Sequence, residues 1–317
     1  MRPEISVIVP VYNGEKTIDK CIKSILKSSF KNFEIIAIND NSIDNSLKIL
    51  KKFSIKIFNV DFDSASKVRN FGAKKAKAKI LVFVDQDVVI KKDTLKKFYE
   101  ILKRNPGVSA VIATPDKNRK YKTFLGEYEN LYLNYSFTRH GKETSNLHSS
   151  TFAIRKSVFQ KVGGFNEKIK GVEQEDRELG ERLVRNGFRI WFLKHVKVVH
   201  LKEYNLKSFV KTRINRGRGY IKNVFKYKIV KDHIPFGLKF GVPLLYFTIF
   251  LIPFNYFLSI ALTAFFAFIN FDFFKFLYKE RGITFAIKAL FILIFDMIIT
   301  GVGILRGVFD YARRYGY

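Results

Sequence analysis

Two acidic clusters in the sequence have the residue types and spacing of a catalytic site. Glu175 and Asp176 open a helical pattern in which Leu179 and Leu183 must face a core. Asp176 precedes these leucines by three and seven residues, which predicts that it shares their inward face. Because a carboxylate on the apolar side of a helix is costly without a partner or a task, we expect Asp176 to have a chemical role.

The second cluster, Asp85-Gln86-Asp87, follows the apolar run Ile80–Val84. In an extended segment, residues i and i+2 point to the same side, so both carboxylates can approach one cation. Hard oxygen ligands favour Mg²⁺ or Mn²⁺ over Zn²⁺. Each acid taken singly is also consistent with a solvated turn or a helix cap, but the two clusters together predict one metal-assisted active site.

Short apolar runs separated by helical patterns fill residues 1–200, which is typical of parallel sheets buried on both faces. In such folds the loops after the strand C-termini carry the ligands, and the acidic motifs follow apolar runs in this way. The pattern therefore predicts an α/β fold. The strand candidates are residues 5–9, 33–38, 55–58, 80–84 and 108–113.

Two polar loops follow the first two strand candidates. In the first loop, Pro10 ends the strand ladder and Asn13-Gly14 turns the chain. In the second loop, Asp40 can accept hydrogen bonds from a nucleobase or a ribose. Ser42 and Asp44 are also candidates for capping the next helix.

The order of these motifs resembles glycosyltransferase family 2 over roughly residues 4–200. The resemblance implies the GT-A fold, in which a mostly parallel central sheet with flanking helices binds a nucleotide sugar. It also implies inverting transfer of the sugar, usually with a divalent cation. The motifs that carry the resemblance are Val9-Pro10-Val11-Tyr12-Asn13, Asn39–Asp44, Arg69-Asn70-Phe71-Gly72, Asp85-Gln86-Asp87, Gly163-Gly164-Phe165 and Glu175-Asp176.

On the donor side, the resemblance assigns three residues to the nucleoside pocket: Pro10, Tyr12 and Asp40. Asn39 and Asn41 replace the first Asp and the Gly of the family's usual Asp-Asp-Gly-Ser segment, which leaves the local turn and the base preference open.

The resemblance also assigns Arg69 to the nucleotide, although a surface arginine on a lysine-rich helix is the alternative. It identifies Asp85 and Asp87 with the family's Asp-X-Asp motif, which binds the donor diphosphate and the cation. Asp87 is the better candidate for direct ligation. His200, at the end of an apolar run, matches a histidine that reaches the metal or the diphosphate, and a structural histidine is the alternative.

On the acceptor side, Asp176 matches the general base, which removes the proton of the acceptor hydroxyl as that oxygen attacks the anomeric carbon. Glu175 is expected to bind or orient the acceptor, and helix capping is the competing role for both acids. Ser149–Ala153 resembles an acceptor-side segment, and Gly163-Gly164-Phe165 is expected to form a turn under the acceptor site.

The charge balance predicts an anionic partner. The 317 residues include 57 Lys and Arg against 28 Asp and Glu, a formal net charge of +29. Nucleic acid, an acidic lipid surface and phosphorylated substrates all fit this excess. The lysines are spread over many helices and no helix-turn-helix, zinc-finger or RNA-binding signature is present, so no nucleic-acid partner is expected. The single cysteine, Cys21, fits a reducing compartment.

The sequence pattern of the C-terminal part, residues 237–317, predicts membrane association. Residues 240–271 contain no charged side chain over 32 positions, where a spanning helix needs about 20 apolar residues. The run is either one long tilted helix or a tight hairpin with Pro253 and Asn255 at its middle. A second apolar run, 283–305, is interrupted by Lys288 and Asp296.

Basic residues flank these runs and predict that both ends are cytoplasmic, although three basic residues in the connection weaken the contrast. The preceding residues are Lys222, Lys226, Lys228, Lys231 and Lys239; the following ones are Arg306, Arg313 and Arg314; the connection carries Lys275, Lys279 and Arg281.

These patterns predict three domains: a catalytic domain (1–201), a basic amphipathic interfacial segment (202–236) and membrane helices (237–317). Within the interfacial segment, the arginine group Arg213, Arg216 and Arg218 is predicted to bind a diphosphate or a lipid phosphate, or to anchor the segment at the interface.

Together the sequence and the resemblance predict an inverting glycosyltransferase of the hexosyltransferase type at the cytoplasmic membrane, with its catalytic domain in the cytoplasm. Its expected donor is a UDP- or GDP-sugar, its cofactor Mg²⁺ or Mn²⁺, and its acceptor a lipid-linked molecule or another glycan. The alternatives are a basic nucleic-acid-binding protein and a catalytically silent membrane scaffold.

Overall fold

The computed structural model describes residues 2–119, 121–139, 141–148, 150–169, 175–225 and 235–315. The predicted features at Ser149, at the segment 171–174 before Glu175, and at Lys226, Lys228 and Lys231 lie outside the described residues. The chain forms two compact units. Unit 1 comprises Met1–Arg119 and His140–Lys202, and unit 2 comprises Lys120–Arg139 and Glu203–Tyr317.

Unit 1 contains one eight-stranded sheet with the strand order β3-β2-β1-β4-β7-β6-β8-β5. The strands are β1 Ile5–Val11, β2 Phe33–Asp40, β3 Lys56–Val60, β4 Ile80–Val84, β5 Val88–Ile90, β6 Val108–Pro115, β7 Thr151–Arg155 and β8 Arg189–His200. The helices in the described residues of this unit are α1 Ile18–Leu26, α2 Ser46–Leu50, α3 Ala65–Lys75, α4 Thr94–Arg104, α6 Lys156–Lys161 and α7 Glu175–Arg185.

The predicted α/β fold is confirmed, and the sheet is mixed, with four parallel and three antiparallel strand pairs among the described residues. Strands β3, β2, β1 and β4 are all parallel, as the alternation of strand and helix patterns indicates. Strand β7 runs antiparallel to both β4 and β6, and β5 runs antiparallel to β8. The five residues of β7 carry no pattern that reveals direction, because direction depends on the path of the chain outside the strand.

Both faces of the parallel half are covered by helices. In α1, Ile18, Cys21, Ile22 and Ile25 follow the i, i+3, i+4, i+7 spacing of one helix face, and all four are buried. They share a core cluster with alternate residues of β1.

On the opposite face, α3 lies very close to the sheet. A Cβ atom at Gly72 would lie 2.6 Å from Ile8 and 2.8 Å from Ile38, so this approach requires glycine. Both isoleucines are fully buried. This contact fixes the height of α3 above the strands, and with it the position of the polar side chains that α3 carries.

Unit 2 is helical. Its helices are α5 Phe124–Thr138, α8 Leu206–Phe225, α9 Phe236–Leu251, α10 Tyr256–Ile269, α11 Phe271–Arg281 and α12 Ile283–Tyr315. The division predicted from sequence placed α5 within residues 1–201. In the structure α5 groups with unit 2, because Tyr128, Leu131 and Tyr135 are buried in a cluster with Phe209 and Phe273.

The uncharged run 240–271 is a hairpin of two short helices, α9 and α10, rather than one long helix. The two helices pack antiparallel, because Gly241 lies against Phe266 and the hydroxyl of Ser259 lies 3.4 Å from the carbonyl of Thr248. Pro253 lies in the turn between them.

Among the described residues, one helix is long and apolar enough to cross a membrane, Ile283–Arg313 of α12. Helices α10 and α11 pass the same test only as a pair that is bent by 57°, and α9 is a shorter apolar helix.

Candidate active site

Arg69 joins the two acidic clusters. Its Nη2 donates to Asp85 Oδ1 at 2.9 Å, and its Nη1 donates to Glu175 Oε1 at 2.8 Å. Arg69 is buried in unit 1, not exposed on a lysine-rich helix face. Because the two nitrogens belong to one guanidinium group, the carboxylates of Asp85 and Glu175 lie at a single site, although 90 residues separate them in the sequence.

The charges at this bridge perturb each other. Burial raises the pKa of Glu175 above its ordinary value; the Arg69 charge opposes this shift, and the Asp176 charge adds to it. For Arg69, burial lowers the pKa, but Asp85 and Glu175 outweigh that effect and the net shift is upward. The guanidinium also lies 5.4 Å from the centre of the Phe165 ring. Arg69 therefore stays charged and holds both acids in place.

The helix face of α7 differs from the sequence prediction. Glu175, Leu179 and Leu183 are buried, whereas Asp176 is only partly buried. Spacings of three and four residues both fit a helical face, and here the four-residue spacing from Glu175 selects the inward side. Asp176 lies at the edge of this face, and one of its oxygens accepts a hydrogen bond from the Arg177 N–H at 2.8 Å.

Asn70, next to Arg69, has a positioning role that the sequence did not assign. Its side chain forms two hydrogen bonds of 2.9 Å with the backbone of Phe165. The Phe165 N–H donates to Asn70 Oδ1, and Asn70 Nδ2 donates to the Phe165 carbonyl. The preceding Gly163 and Gly164 have φ values of 82° and 69°, a conformation that favours glycine. Arg69-Asn70 therefore fixes both the acidic clusters and the predicted acceptor-side turn. The only sequence feature that pointed to this role was the adjacency of the polar residues Arg69 and Asn70 in one helix.

Asp87 and His200 lie together because β5 and β8 are antiparallel, with Val88 opposite His200. The Nε2 atom of His200 is 3.5 Å from Asp87 Oδ1, and the Leu201 N–H donates to the Asp87 carbonyl at 2.6 Å. Both side chains are partly open to solvent. The sequence offered no reason for this pairing beyond the family resemblance.

The residues present fit a divalent cation that the substrate helps to hold. Within the described part of the chain, no group of three or more His, Cys, Asp or Glu side chains forms a complete metal cage. Mg²⁺ commonly binds one or two carboxylates together with substrate phosphates, and Asp87 with His200 offers such an incomplete set. Asp85 lies two residues away, with one oxygen engaged by Arg69.

The predicted nucleoside residues lie at the C-terminal ends of β1 and β2, and β1 continues past Pro10 to Val11. Pro10 pairs with Ile38 in the parallel register, and the Tyr12 side chain is 59% exposed. Asp40 is buried, and its Oδ1 accepts a hydrogen bond from the Phe62 N–H at 2.7 Å, so part of its capacity ties down the chain after β3.

The substituted turn contains a non-glycine residue with a positive φ. Asn41, which replaces the family's glycine, has a φ of 50°, a left-handed conformation that asparagine tolerates better than most residues. Asp44 lies one residue before Asn45, the N-cap of α2, and its carboxylate accepts hydrogen bonds from the backbone N–H groups of Ser46 and Glu15, both at 2.9 Å.

The acceptor-side segment borders Asp85. The Asp85 N–H donates to the Ser150 carbonyl at 3.1 Å, and Thr151 pairs with Val84 across β4 and β7. Trp191 is partly buried against the core of unit 1, as expected for a packing role.

In unit 2, the arginine group is matched by carboxylates of the same unit. Arg213 pairs with Glu129 at 2.6 Å and with Asp296 at 2.7 Å. The other two pairs of this group are Arg216 with Glu129 at 2.6 Å and Arg218 with Asp310 at 2.9 Å.

Comparison with known proteins identifies a domain that covers most of unit 1 and also includes helix α5 of unit 2. Residues 6–163 match the family model described as glycosyl transferase family 2, and residues 131–205 match the model described as the N-terminal domain of galactosyltransferase.

Bacterial relatives show a similar sequence. The chain is 32% identical over 228 residues to glycosyltransferase GlyA of Streptococcus pneumoniae, which covers 68% of this chain and 31% of GlyA. It is 37% identical over 101 residues to the poly(ribitol-phosphate) β-N-acetylglucosaminyltransferase TarS of Staphylococcus aureus, which covers 29% of this chain and 18% of TarS. The chain spans about a third or less of the length of such relatives.

Solved structures show the same fold. The mannosyltransferase PcManGT from Pyrobaculum calidifontis, in complex with GDP-Man and Mn²⁺, aligns over 98% of this chain and 88% of its own, with a TM-score of 0.64 and 16% identity. TarS residues 1–349 of S. aureus in complex with UDP-GlcNAc aligns over 98% and 92%, with a TM-score of 0.51 and 17% identity.

At these identities the structural likeness establishes the fold alone, and it confirms the predicted GT-A architecture. The matched family model, the bacterial relatives and the motif order agree with that fold. The chain therefore carries a family 2 glycosyltransferase domain and belongs to that family.

Proposed function

We propose that the protein transfers a hexosyl group from a nucleotide sugar to an acceptor hydroxyl with inversion at the anomeric carbon. The observation that carries the proposal is the Arg69 bridge, because it holds the Asp85 segment and the start of α7 at one site. A donor diphosphate on the Asp85–Asp87 side and an acceptor on the Asp176 side would then meet at one carbon.

In this proposal Asp176 accepts the proton of the acceptor hydroxyl. The acceptor oxygen forms its bond to the anomeric carbon from one face while the bond to the diphosphate oxygen breaks on the other, and the diphosphate leaves with the electron pair. Asp176 is the second residue of α7 and is partly exposed. Glu175, held by Arg69, is too deeply buried to be the better base and orients the acceptor end of the site.

Asp87 and His200 would hold the proposed Mg²⁺ or Mn²⁺, with Asp85 completing the acidic side of the diphosphate site. A bound cation would offset the charge that develops on the leaving diphosphate. The donor is proposed to be a UDP- or GDP-sugar, supported by the UDP-GlcNAc and GDP-Man complexes of the two structural neighbours. Pro10, Tyr12 and Asp40 would form the nucleoside pocket.

A lipid bilayer is the proposed environment of unit 2. Phe254 and Phe257, near the turn of the α9–α10 hairpin, are 72% and 84% exposed. Helices of 16 and 14 residues are about 24 and 21 Å long, shorter than the roughly 30 Å hydrocarbon core. We propose that this hairpin enters and leaves one leaflet on the same side, with residues 202–236 at the interface.

The proposed acceptor is a lipid-linked molecule, since a chain held at the cytoplasmic membrane meets lipid acceptors at high effective concentration. A diphosphate or lipid-phosphate role for Arg213, Arg216 and Arg218 is the less favoured part of this proposal, because carboxylates of unit 2 already pair with all three.

One experiment tests the donor and the metal together. The protein is offered a panel of nucleotide sugars with and without Mn²⁺, and release of the nucleoside diphosphate is measured. We expect hydrolysis of one donor class, stimulated by the cation. Absence of any turnover, with lipid extracts also supplied as acceptors, would reject the enzymatic function. Transfer only to soluble oligosaccharides or proteins would reject the lipid-linked acceptor.

A further inference from the structure

The middle residue of the acidic segment, Gln86, is bonded to the backbone of the nucleoside loop. The Tyr12 N–H donates to Gln86 Oε1 at 2.8 Å, and Gln86 Nε2 donates to the Tyr12 carbonyl at 2.9 Å. One side-chain amide thus forms the two reciprocal hydrogen bonds that a strand residue forms with its antiparallel partner. We call this pair of hydrogen bonds the Gln86 bridge.

The rest of the nucleoside loop is held equally firmly. The next three backbone N–H groups, those of Asn13, Gly14 and Glu15, donate to the side chains of Ser42, Ser46 and Asp44 at 3.0, 2.7 and 2.9 Å. Four successive N–H groups of this loop are therefore used by side chains. The loop therefore has no free backbone N–H donor at these four positions for a phosphate.

The bridge has tight steric requirements. A Cβ atom at Gly14 would lie 2.4 Å from Gln86 Oε1, so a side chain at position 14 would displace the bridging amide. A carboxylate at position 86 would keep an acceptor for the Tyr12 N–H but would place a second acceptor against the Tyr12 carbonyl. Only a side chain with both a donor and an acceptor at this reach satisfies both groups.

On either side of Gln86 are Asp85, bonded to Arg69, and Asp87, next to His200. A displacement of this three-residue segment is transmitted to Tyr12 through the bridge, because both Tyr12 backbone groups are held by it. The other hydrogen bonds of the loop described above come from the β2–α2 segment and do not involve the acidic segment.

We propose that Gln86 is a positioning residue that couples nucleoside binding to cation binding, so that each ligand increases the affinity for the other. This inference rests on the proposed use of a nucleotide donor and a divalent cation. Linkage requires the effect to be reciprocal, and couplings between sites in proteins typically change affinity by about 5- to 150-fold.

The test is a calorimetric titration of the full chain with UDP and with GDP, in the absence and presence of Mn²⁺. The variant is Gln86→Met, which keeps the length and volume of the side chain and removes both hydrogen bonds. The matched control is Gln160→Met on the exposed surface of α6. Thermal unfolding of all three proteins verifies that they are folded.

We expect Mn²⁺ to increase the nucleotide affinity of the wild type and of Gln160→Met by the same factor. In Gln86→Met this factor should be smaller by at least about fivefold. In turnover assays the KM for the donor should rise in Gln86→Met while kcat at saturating donor and cation changes little, a split that general loss of structure would not produce.

An unchanged cation effect in Gln86→Met would overturn the inference and leave the proposed function intact. Failure of the wild type to bind either nucleotide under any condition would instead overturn the proposed function, and the inference with it.

Discussion

Both units bury an arginine that is paired with carboxylates, but the side chains they expose differ. In unit 1, Asp87 and His200 are partly open at the end of a sheet whose apolar side chains are buried. In unit 2, the Arg213 side chain is 3% exposed and paired with Glu129 and Asp296, while phenylalanines cover the outside.

We propose that the two units meet different solvents, because their exposed surfaces differ in this way. A large contiguous apolar surface is rare on a protein surrounded by water and marks a protein or membrane contact. Charged side chains in membrane helices face the protein interior and pair with one another, as Asp296 of α12 does with Arg213. Unit 1 exposes polar side chains beside its acidic clusters, and the exposed phenylalanines of unit 2 support the proposed lipid contact.

The largest expected effect is on the chemistry of unit 1. Asp176→Asn removes the proposed base and keeps the shape of the side chain, so transfer should fall by about 10²- to 10⁴-fold, the usual contribution of general base catalysis. Nucleotide affinity, measured by calorimetry, should be unchanged.

The matched control is Asp19→Asn, which alters only an exposed ion pair with Lys23 on α1. Near-normal turnover of Asp176→Asn would show that another group accepts the proton.

The Arg69 bridge is the next largest test of unit 1. Arg69→Met leaves the buried Glu175 without its cation, and loss of one partner from a buried ion pair typically costs about 3–5 kcal/mol. Arg69→Lys keeps the positive charge but lacks the planar guanidinium group that contacts both acids. An intermediate loss in the free energy of unfolding is therefore expected. Chemical denaturation measures both effects.

Arg104→Lys at the exposed end of α4 is the control and should change the free energy of unfolding by less than about 0.5 kcal/mol. Equal stabilities of the Arg69 and Arg104 variants would mean that the bridge does not hold the clusters together.

Much of unit 1 could be predicted because its signals are local. The strand candidates at 5–9, 33–38 and 80–84 all lie within strands of the structure, since short apolar runs between helical patterns are typical of buried parallel strands. The acidic motifs were recognisable from residue type and order. Their convergence depended on Arg69, whose partners lie 16 and 106 residues away, and no local pattern encodes such distances.

Two errors have the same origin. The inward face of α7 was assigned to Asp176 rather than Glu175, because a few leucines fit two adjacent registers of a 3.6-residue period. Helix α5 was assigned to the catalytic domain because it lies within residues 1–201, whereas its buried tyrosines pack in unit 2. In both cases the tertiary partner decided the outcome.

The exposed α9–α10 hairpin of unit 2 allows the proposed lipid contact of that unit to be tested. The double variant Phe254→Asp/Phe257→Asp should weaken binding to vesicles of acidic phospholipids by at least about a hundredfold, because burial of each phenylalanine contributes about 1.5–3 kcal/mol. Flotation of the purified chain with the vesicles measures this binding.

Ile43→Asp provides the control, since Ile43 in unit 1 is 90% exposed and lies outside the proposed membrane surface. If the double variant floats as well as the control, the hairpin is not the lipid contact. A wild type that forms a defined oligomer without lipid and does not float would indicate that another protein surface covers it.

The smallest effect on the free energy of unfolding or on activity is expected from Gly72→Ala. This variant tests how tightly α3 packs on the sheet in the core of unit 1. The added methyl group would lie 2.6 Å from Ile8 and 2.8 Å from Ile38, so α3 must shift away from the sheet. Such overpacking costs about 1–3 kcal/mol, measured as a lower midpoint of chemical denaturation.

At Gly107 a Cβ atom would have its nearest neighbour at 4.0 Å, so Gly107→Ala should leave stability almost unchanged. Because α3 carries Arg69 and Asn70, the shift should also lower turnover in Gly72→Ala. If stability falls while turnover is retained, the position of α3 does not set the geometry of the acidic clusters.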